Sequence, residues 1–268
     1  MLKLRMLILL TLISVVAHAQ VNWLHDYKMA RALSANNGKF IVMDFWATWC
    51  GPCKVMDKEL WQKPEAMQVA ERFIPLKVDI DRERGLAMEF GANAIPKVVV
   101  VDVLGNIIWE RVGYSRPEDY LEILERLPAE NPVLAKNIVP MLEEEPAADD
   151  FASLAGVYQK LGKEQEVLIL QRNFLDISDK YYKKLLRENP SPELELIAEY
   201  ELLLNDAYRG KHKRVLRKLD KISPGEYEQV QELKMFVQAY CYKCEGEEEK
   251  LSALMEHIKN EDYLMELR

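Results

Sequence analysis

Cys50 and Cys53 stand two residues apart, with Gly51 and Pro52 between them, in the stretch DFWATWCGPCKVMDKE from Asp44 to Glu59. Such a pair can be a structural staple, half of a metal site or a working redox couple. A disulfide here closes a very small loop, which makes it a poor staple. Zinc would need a second pair. The other two cysteines, Cys241 and Cys244, lie far away in sequence, whereas structural zinc sites draw their ligand pairs from closer together. Redox work fits the placement best. Cys50 falls where a strand-like apolar run gives way to a helix, and the unpaired N–H groups of a helix start favour negative charge. That stabilises a thiolate, the species that attacks disulfides. Cys53, one turn into the helix, is expected to be more buried, to keep a higher pKa and to resolve the mixed disulfide formed at Cys50.

The elements that must hold this pair can be read on either side of it. Trp23, Tyr27, Ala30 and Leu33 recur at helical spacing, and Asn37-Gly38 stops that helix. KFIVMDFWA (39–47) reads as a buried central strand that carries one acid, Asp44. A helix follows from the cysteines to about Trp61, and Pro64 opens a second helical piece. FIPLKVDID (73–81) is a strand, RERGLAMEFGA a short helix ending at Gly91, and PKVVVVD and NIIWERVG form a hairpin around Leu104-Gly105-Asn106. RPEDYLEILERL closes the unit as an amphipathic helix, with Pro117 at its start. The order α-β-α-β-α-β-β-α predicts a mixed sheet with helices on both faces.

DFWATWCGPCK resembles the active-site segment of thioredoxin almost position for position, and the resemblance extends from about Asn22 to Leu127, element order included. It implies an α/β thioredoxin-like fold and a set of roles. AIPKVVVVD resembles the segment that carries a cis-proline beside the cysteines, so Pro96 is expected to be cis, with Ile95 giving backbone contacts to an extended substrate strand. Asp44 matches the buried acid behind the cysteines, with its pKa raised by burial so that it can exchange a proton with Cys53. Lys77 matches that acid's partner. Trp49 matches the surface tryptophan flanking the nucleophile, and Gly113 a glycine near the groove. Trp49, Gly51, Pro52, Ile95, Pro96 and Gly113 make the expected substrate contact, and Asp44 and Lys77 are expected to serve the chemistry of Cys50 and Cys53. Two departures stand out. Lys97 follows the proline where cytosolic members usually carry threonine. It is either a cation near the groove that favours an acidic client or a solvated lysine at a strand end. The broken helix after the cysteines looks more like the exported branch that includes the C-terminal domain of the transmembrane electron transporter of bacterial envelopes.

After Pro128 the texture changes. Residues 129–150 are rich in proline and acid and read as a linker or first irregular helices. From 151 to 268 three segments share a tyrosine, a glycine, a charged start and an apolar helix, around Tyr158/Gly162, Tyr208/Gly210 and Tyr242/Gly246. Each glycine is expected to end a helix and turn the chain. The result is an all-α helical-hairpin domain that resembles tetratricopeptide-type repeats only loosely, because glycines 48 and then 36 residues apart keep no strict period. Its tyrosines read as hairpin packing. Cys241 and Cys244 read most simply as two small buried residues, with a local disulfide or a second, electron-relaying redox pair as alternatives.

The chain has 268 residues, is 49% apolar and 30% charged, and carries a formal charge of −8. That composition marks it as globular, and the charge argues against a nucleic-acid partner. Residues 1–19 read as a signal peptide. Lys3 and Arg5 precede an apolar run from Met6 to Ala17, and Ala17-His18-Ala19 gives a cleavage pattern before Gln20. Residues 20–128 would then form the thioredoxin-like domain of a periplasmic or secreted protein, with no stable membrane insertion after cleavage. His18, His25, His212 and His257 make no metal or triad spacing, and the acidic runs Glu143–Glu145 and Glu247–Glu249 read as solvated faces. No nucleotide fingerprint and no cofactor is expected. Cys-Gly-Pro-Cys matches the reducing end of the family, so the function expected is reduction of protein disulfides, with re-reduction by a membrane electron donor. The alternatives are an isomerase or oxidase, or a protein-binding helical module with an accessory thioredoxin-like domain.

Overall fold

A strand whose residues are apolar on both sides needs cover on both faces, and β1 (Ile41–Trp46) obtains it. The computed structural model describes residues 21–142 and 145–268, so the expected leader and two of the three acids of Glu143–Glu145 lie outside the described residues. Strand β1 is an inner strand of a four-stranded sheet of order β2-β1-β3-β4. Strand β2 (Ile74–Asp79) runs parallel to it, whereas β3 (Lys97–Val101) lies antiparallel to β1, and β4 (Ile107–Val112) antiparallel to β3. A parallel pair requires a crossover. It is supplied by α2 (Gly51–Met56), a wider π-type turn over Asp57–Trp61, and α3 (Pro64–Ala70).

Alternation along β1 sorts the core. Ile41, Met43 and Phe45 face α1 (Tyr27–Asn37) and α4 (Arg84–Glu89), packing with Ala30, Ala87 and Phe90. Phe40 and Val42 share the opposite core with Met56, Leu60 and Trp61, and with Tyr120 and Leu124 of α5 (Glu118–Arg126). Asp44 belongs to this second face by register, beneath the crossover that carries the cysteines. Helix α1 stops at Gly38, whose φ of +68° suits glycine. Its missing side chain also admits the Asn131 carbonyl, with which a Cβ there would collide.

The stretch after α5 holds α6 (Pro132–Ile138) and a single 3-10 turn at Val139–Leu142. Helices then follow without a strand among the described residues: α7 (Ala148–Lys163), α8 (Leu168–Leu185), α9 (Pro192–Tyr208), α10 (His212–Leu219), α11 (Glu228–Glu245), α12 (Glu248–Met255) and α13 (Glu261–Leu267). Gly210 and Gly246 turn the chain with φ of +79° and +74°. Gly162 does not. It lies inside α7, where a Cβ would meet Leu175 Cγ of α8 at 2.8 Å, so its role is close helix approach rather than helix termination.

The first helices of the helical half, α7 and α8, are not a separate body hung on a linker, whereas the later helices pack mainly around a core of their own from Tyr200 to Leu267. Phe151, Leu154, Tyr158, Leu170, Phe174 and Tyr181 belong to the same apolar core as Phe40, Val100 and Trp109. The contact is made at one end of the sheet. Ile41 opens β1 opposite Val101, which closes β3, and the β3–β4 turn follows at that end. There Tyr158 donates to the Asp102 carboxylate, Asn106 Nδ2 donates to Asp102 Oδ2 at 2.6 Å and to Tyr181 Oη at 2.9 Å, and Lys180 Nζ donates to Asn106 Oδ1 at 2.6 Å. Burial raises the Asp102 pKa, and the Tyr158 and Asn106 donors offset part of that. Cys50 lies beyond the other end of β1, so the helices leave the cysteine end of the sheet open.

Candidate active site

Cys50 and Cys53 are joined, with S–S 1.98 Å and Cα–Cα 5.3 Å. Cys50 is the N-cap of α2, and its Sγ accepts the Cys53 N–H at 3.1 Å. The same N–H would stabilise a thiolate at Cys50 in the reduced protein. Pro52 sits in the first turn, where a missing N–H costs no helix bond. Gly51 and Pro52 are exposed. The expected contrast in burial is not found. Cys50 is 3% exposed and Cys53 4%, because Ala47, Trp46, Ile80 and Ile95 enclose both sulfurs of the closed disulfide. What separates them is position, since Cys50 caps the helix and Cys53 lies within it. Trp49 stands beside them, 65% exposed, its Nε1 donating to Asp81 Oδ2 at 2.9 Å.

The Ile95–Pro96 peptide is cis. Lys97 pairs with Phe45 near the end of β1, which brings the loop before it alongside the cysteines, and half-buried Ile95 packs on them. The Pro96 carbonyl accepts the Gly113 N–H at 2.8 Å. Gly113 has φ +82°, and its own carbonyl accepts the Tyr120 hydroxyl. Lys97 corrects both readings of it, being neither solvated nor in the groove. It is 5% exposed, and its Nζ donates to the Phe90 carbonyl at 2.7 Å and the Gly91 carbonyl at 3.4 Å, and pairs with Glu110 at 2.9 Å. The free carbonyls at the end of α4 favour a cation, and three acceptors match the three donors of a buried ammonium.

Asp44 is 1% exposed. Burial raises its pKa to about 6, and the Lys77 ammonium, 3.4 Å from Oδ2, keeps it from rising further. Lys77 also pairs with Asp57. Its ammonium lies over the rings of Trp23 and Trp46, 5.2 and 5.5 Å from their centroids, where the ring faces attract a cation. Asp44 Oδ1 and the Trp61 indole N–H are both buried without a protein partner. A carboxyl poised near neutral pH beneath the helix that carries Cys53 can take up or release a proton there. Sequence reading misses Asp57 and Trp61, although their spacing from Cys53 at i+4 and i+8 puts all three on one side of the crossover.

The second cysteine pair is unlike the first. Cys241 is buried in α11 and Cys244 exposed, so only one of them fits the reading of two buried residues, and both are free thiols. Burial holds the Cys241 thiol up at about 12, too high for an attacking thiolate at neutral pH.

A mixed sheet in this strand order, with a Cys-x-x-C disulfide opening its first crossover helix, defines a thiol–disulfide oxidoreductase of thioredoxin-like fold. The profile of a thioredoxin-like family matches residues 22–103. Thioredoxin-1 of Drosophila melanogaster is 35% identical over 81 residues, 30% of this chain and 72% of that protein. Thioredoxin H-type of Fagopyrum esculentum is 28% identical over 124 residues, and thioredoxin of Bacillus subtilis 29% over 97, covering 94% and 90% of those proteins but 45% and 36% of this chain. The chain belongs to the thioredoxin family.

Proposed function

We propose that the chain is exported and reduces protein disulfides through Cys50 and Cys53. The observation that carries this reading is the pair itself, at a helix cap above a buried acid whose pKa burial raises to about 6. The Cys50 thiolate attacks one sulfur of a client disulfide, forms a mixed disulfide and expels the other client sulfur as thiolate. Asp44 takes the Cys53 proton. The Cys53 thiolate then attacks Cys50 Sγ and releases the second client thiol, leaving the Cys50–Cys53 disulfide. Trp49, Ile95, Pro96 and Gly113, with Gly51 and Pro52, border the surface on which the client strand lies. Lys77 holds Asp44 in place and limits the rise of its pKa.

Each turnover consumes two electrons that an oxidising compartment does not supply, so the cycle requires a membrane electron carrier. The basic start, apolar run and Ala-His-Ala of residues 1–19 support export. The test is reduction of a disulfide-bonded protein with dithiothreitol as electron source. Wild type accelerates it, Cys50→Ser does not, and Cys53→Ser accumulates the mixed disulfide. Equal acceleration by Cys50→Ser contradicts the assignment.

A further inference from the structure

Residues 209–221 read RGKHKRVLRKLDK, with seven lysines and arginines and one acid, Asp220, in a chain of charge −8. Burial of Val215 and Leu219 fixes how α10 lies and turns Lys213, Arg214 and Arg217 to solvent, with exposed Lys221 just beyond its end. Arg214 and Arg217, three residues apart on the helix, share one side, and Lys221 follows in the turn after it. Other cations of the segment are engaged. Arg209 pairs with Asp176 at 2.9 Å and Asp179 at 3.2 Å, and Lys211 and Lys218 reach Asp206 at 2.8 and 3.4 Å. Lys213 meets Glu245 at 3.4 Å with its side chain still 83% exposed. Arg214, Arg217 and Lys221 have no acidic partner among the described residues. A shallow depression of about 420 Å³ opens between Lys211, His212, Lys213, Arg214, Arg217 and Glu245.

We propose that this face of α10 docks the protein onto an anionic phospholipid bilayer. A folded or peptide partner needs a well-packed, desolvated pocket at the centre of its interface, and this face offers only a shallow depression rimmed by charges. A headgroup plane needs only positive charge presented along one side, and arginine forks suit phosphate oxygens. The charge of the remaining chain is repelled by the same plane. Screening over roughly 8 Å at physiological salt lets the patch act locally, so the molecule is oriented with α10 toward the lipid. This surface is independent of the direction in which electrons flow at Cys50.

The test is co-sedimentation of the full chain with vesicles of phosphatidylcholine alone or with one-third phosphatidylglycerol. The expected result is a preference for the anionic vesicles that falls as salt is raised. Arg214→Gln/Arg217→Gln/Lys221→Gln lowers that binding about a hundredfold at low salt, at roughly fivefold per charge, and leaves neutral-vesicle binding, circular dichroism and disulfide reduction unchanged. Lys3, Arg5 and the apolar run of residues 6–17 are common to both proteins, so the difference between wild type and variant reports on α10. Equal binding of the triple variant to anionic vesicles overturns the proposal. So does a wild type that shows no anionic preference, or one that binds polyglutamate but not vesicles.

Discussion

Asp44 gives the site a pH signature of its own. Its folded pKa of about 6 lies above the ordinary 3.8, so between those values the folded protein holds more protons than the unfolded chain. Stability therefore falls as pH rises through that window, and by pH 7 the ionised group costs about 3 kcal/mol. Asp44→Asn is expected to stabilise the protein by up to that amount at pH 7 and by little at pH 3.5, measured by denaturant unfolding. The same variant should resolve the Cys50 mixed disulfide more slowly, because Cys53 loses its proton acceptor. An asparagine variant no more stable than wild type at pH 7 contradicts the burial argument. Cys50, Asp44 and Pro96 are legible in the sequence because each is announced by its neighbours: a dithiol, an acid in an apolar strand, a proline before another strand. Lys97 is not. A lysine at a strand end reads as solvated, and only the α4 carbonyls and Glu110 explain its burial.

Among the elements, the α/β order is legible because apolar runs and glycine or proline stops punctuate it. Gly162 misleads because a glycine inside a helix and one just past its end look alike in sequence. The structure makes the difference testable. Gly162→Ala would bring a Cβ to 2.8 Å from Leu175 Cγ and 3.2 Å from the Gln171 carbonyl, forcing α7 and α8 apart. A loss of about 1–3 kcal/mol is expected, as for overpacked cores, with the Cys50/Cys53 potential unchanged. An alanine variant as stable as wild type would mean that the two helices are not held at this distance. Gly246 has φ +74° with nothing within 4 Å of where a Cβ would lie. Its alanine variant is expected to lose stability through backbone strain instead.

At the scale of the whole molecule, the sheet and helices α7 and α8 are held as one piece by contacts that sequence reading cannot supply, while α9 to α13 pack mainly around a second core from Tyr200 to Leu267. Asp102 and Tyr158 are 56 residues apart and meet only because the helices close over one end of the sheet. Calorimetry should therefore show α7 and α8 unfolding together with the sheet, and a separate transition that takes α7 and α8 without the sheet would contradict a shared core. Tyr158→Phe removes a donor from buried Asp102 and is expected to cost about 1–3 kcal/mol. Rigid attachment at the end of the sheet away from Cys50 leaves the client surface free. Whether the Cys50–Cys53 pair works as a reductant is decided by its reduction potential. It is best measured by equilibrating the protein with dithiothreitol or glutathione buffers in a Cys241→Ala/Cys244→Ala background. A reductase should give a value near that of thioredoxin, about −270 mV. A value of about −180 to −120 mV, the range of isomerases and oxidants, would contradict the proposed direction of electron flow.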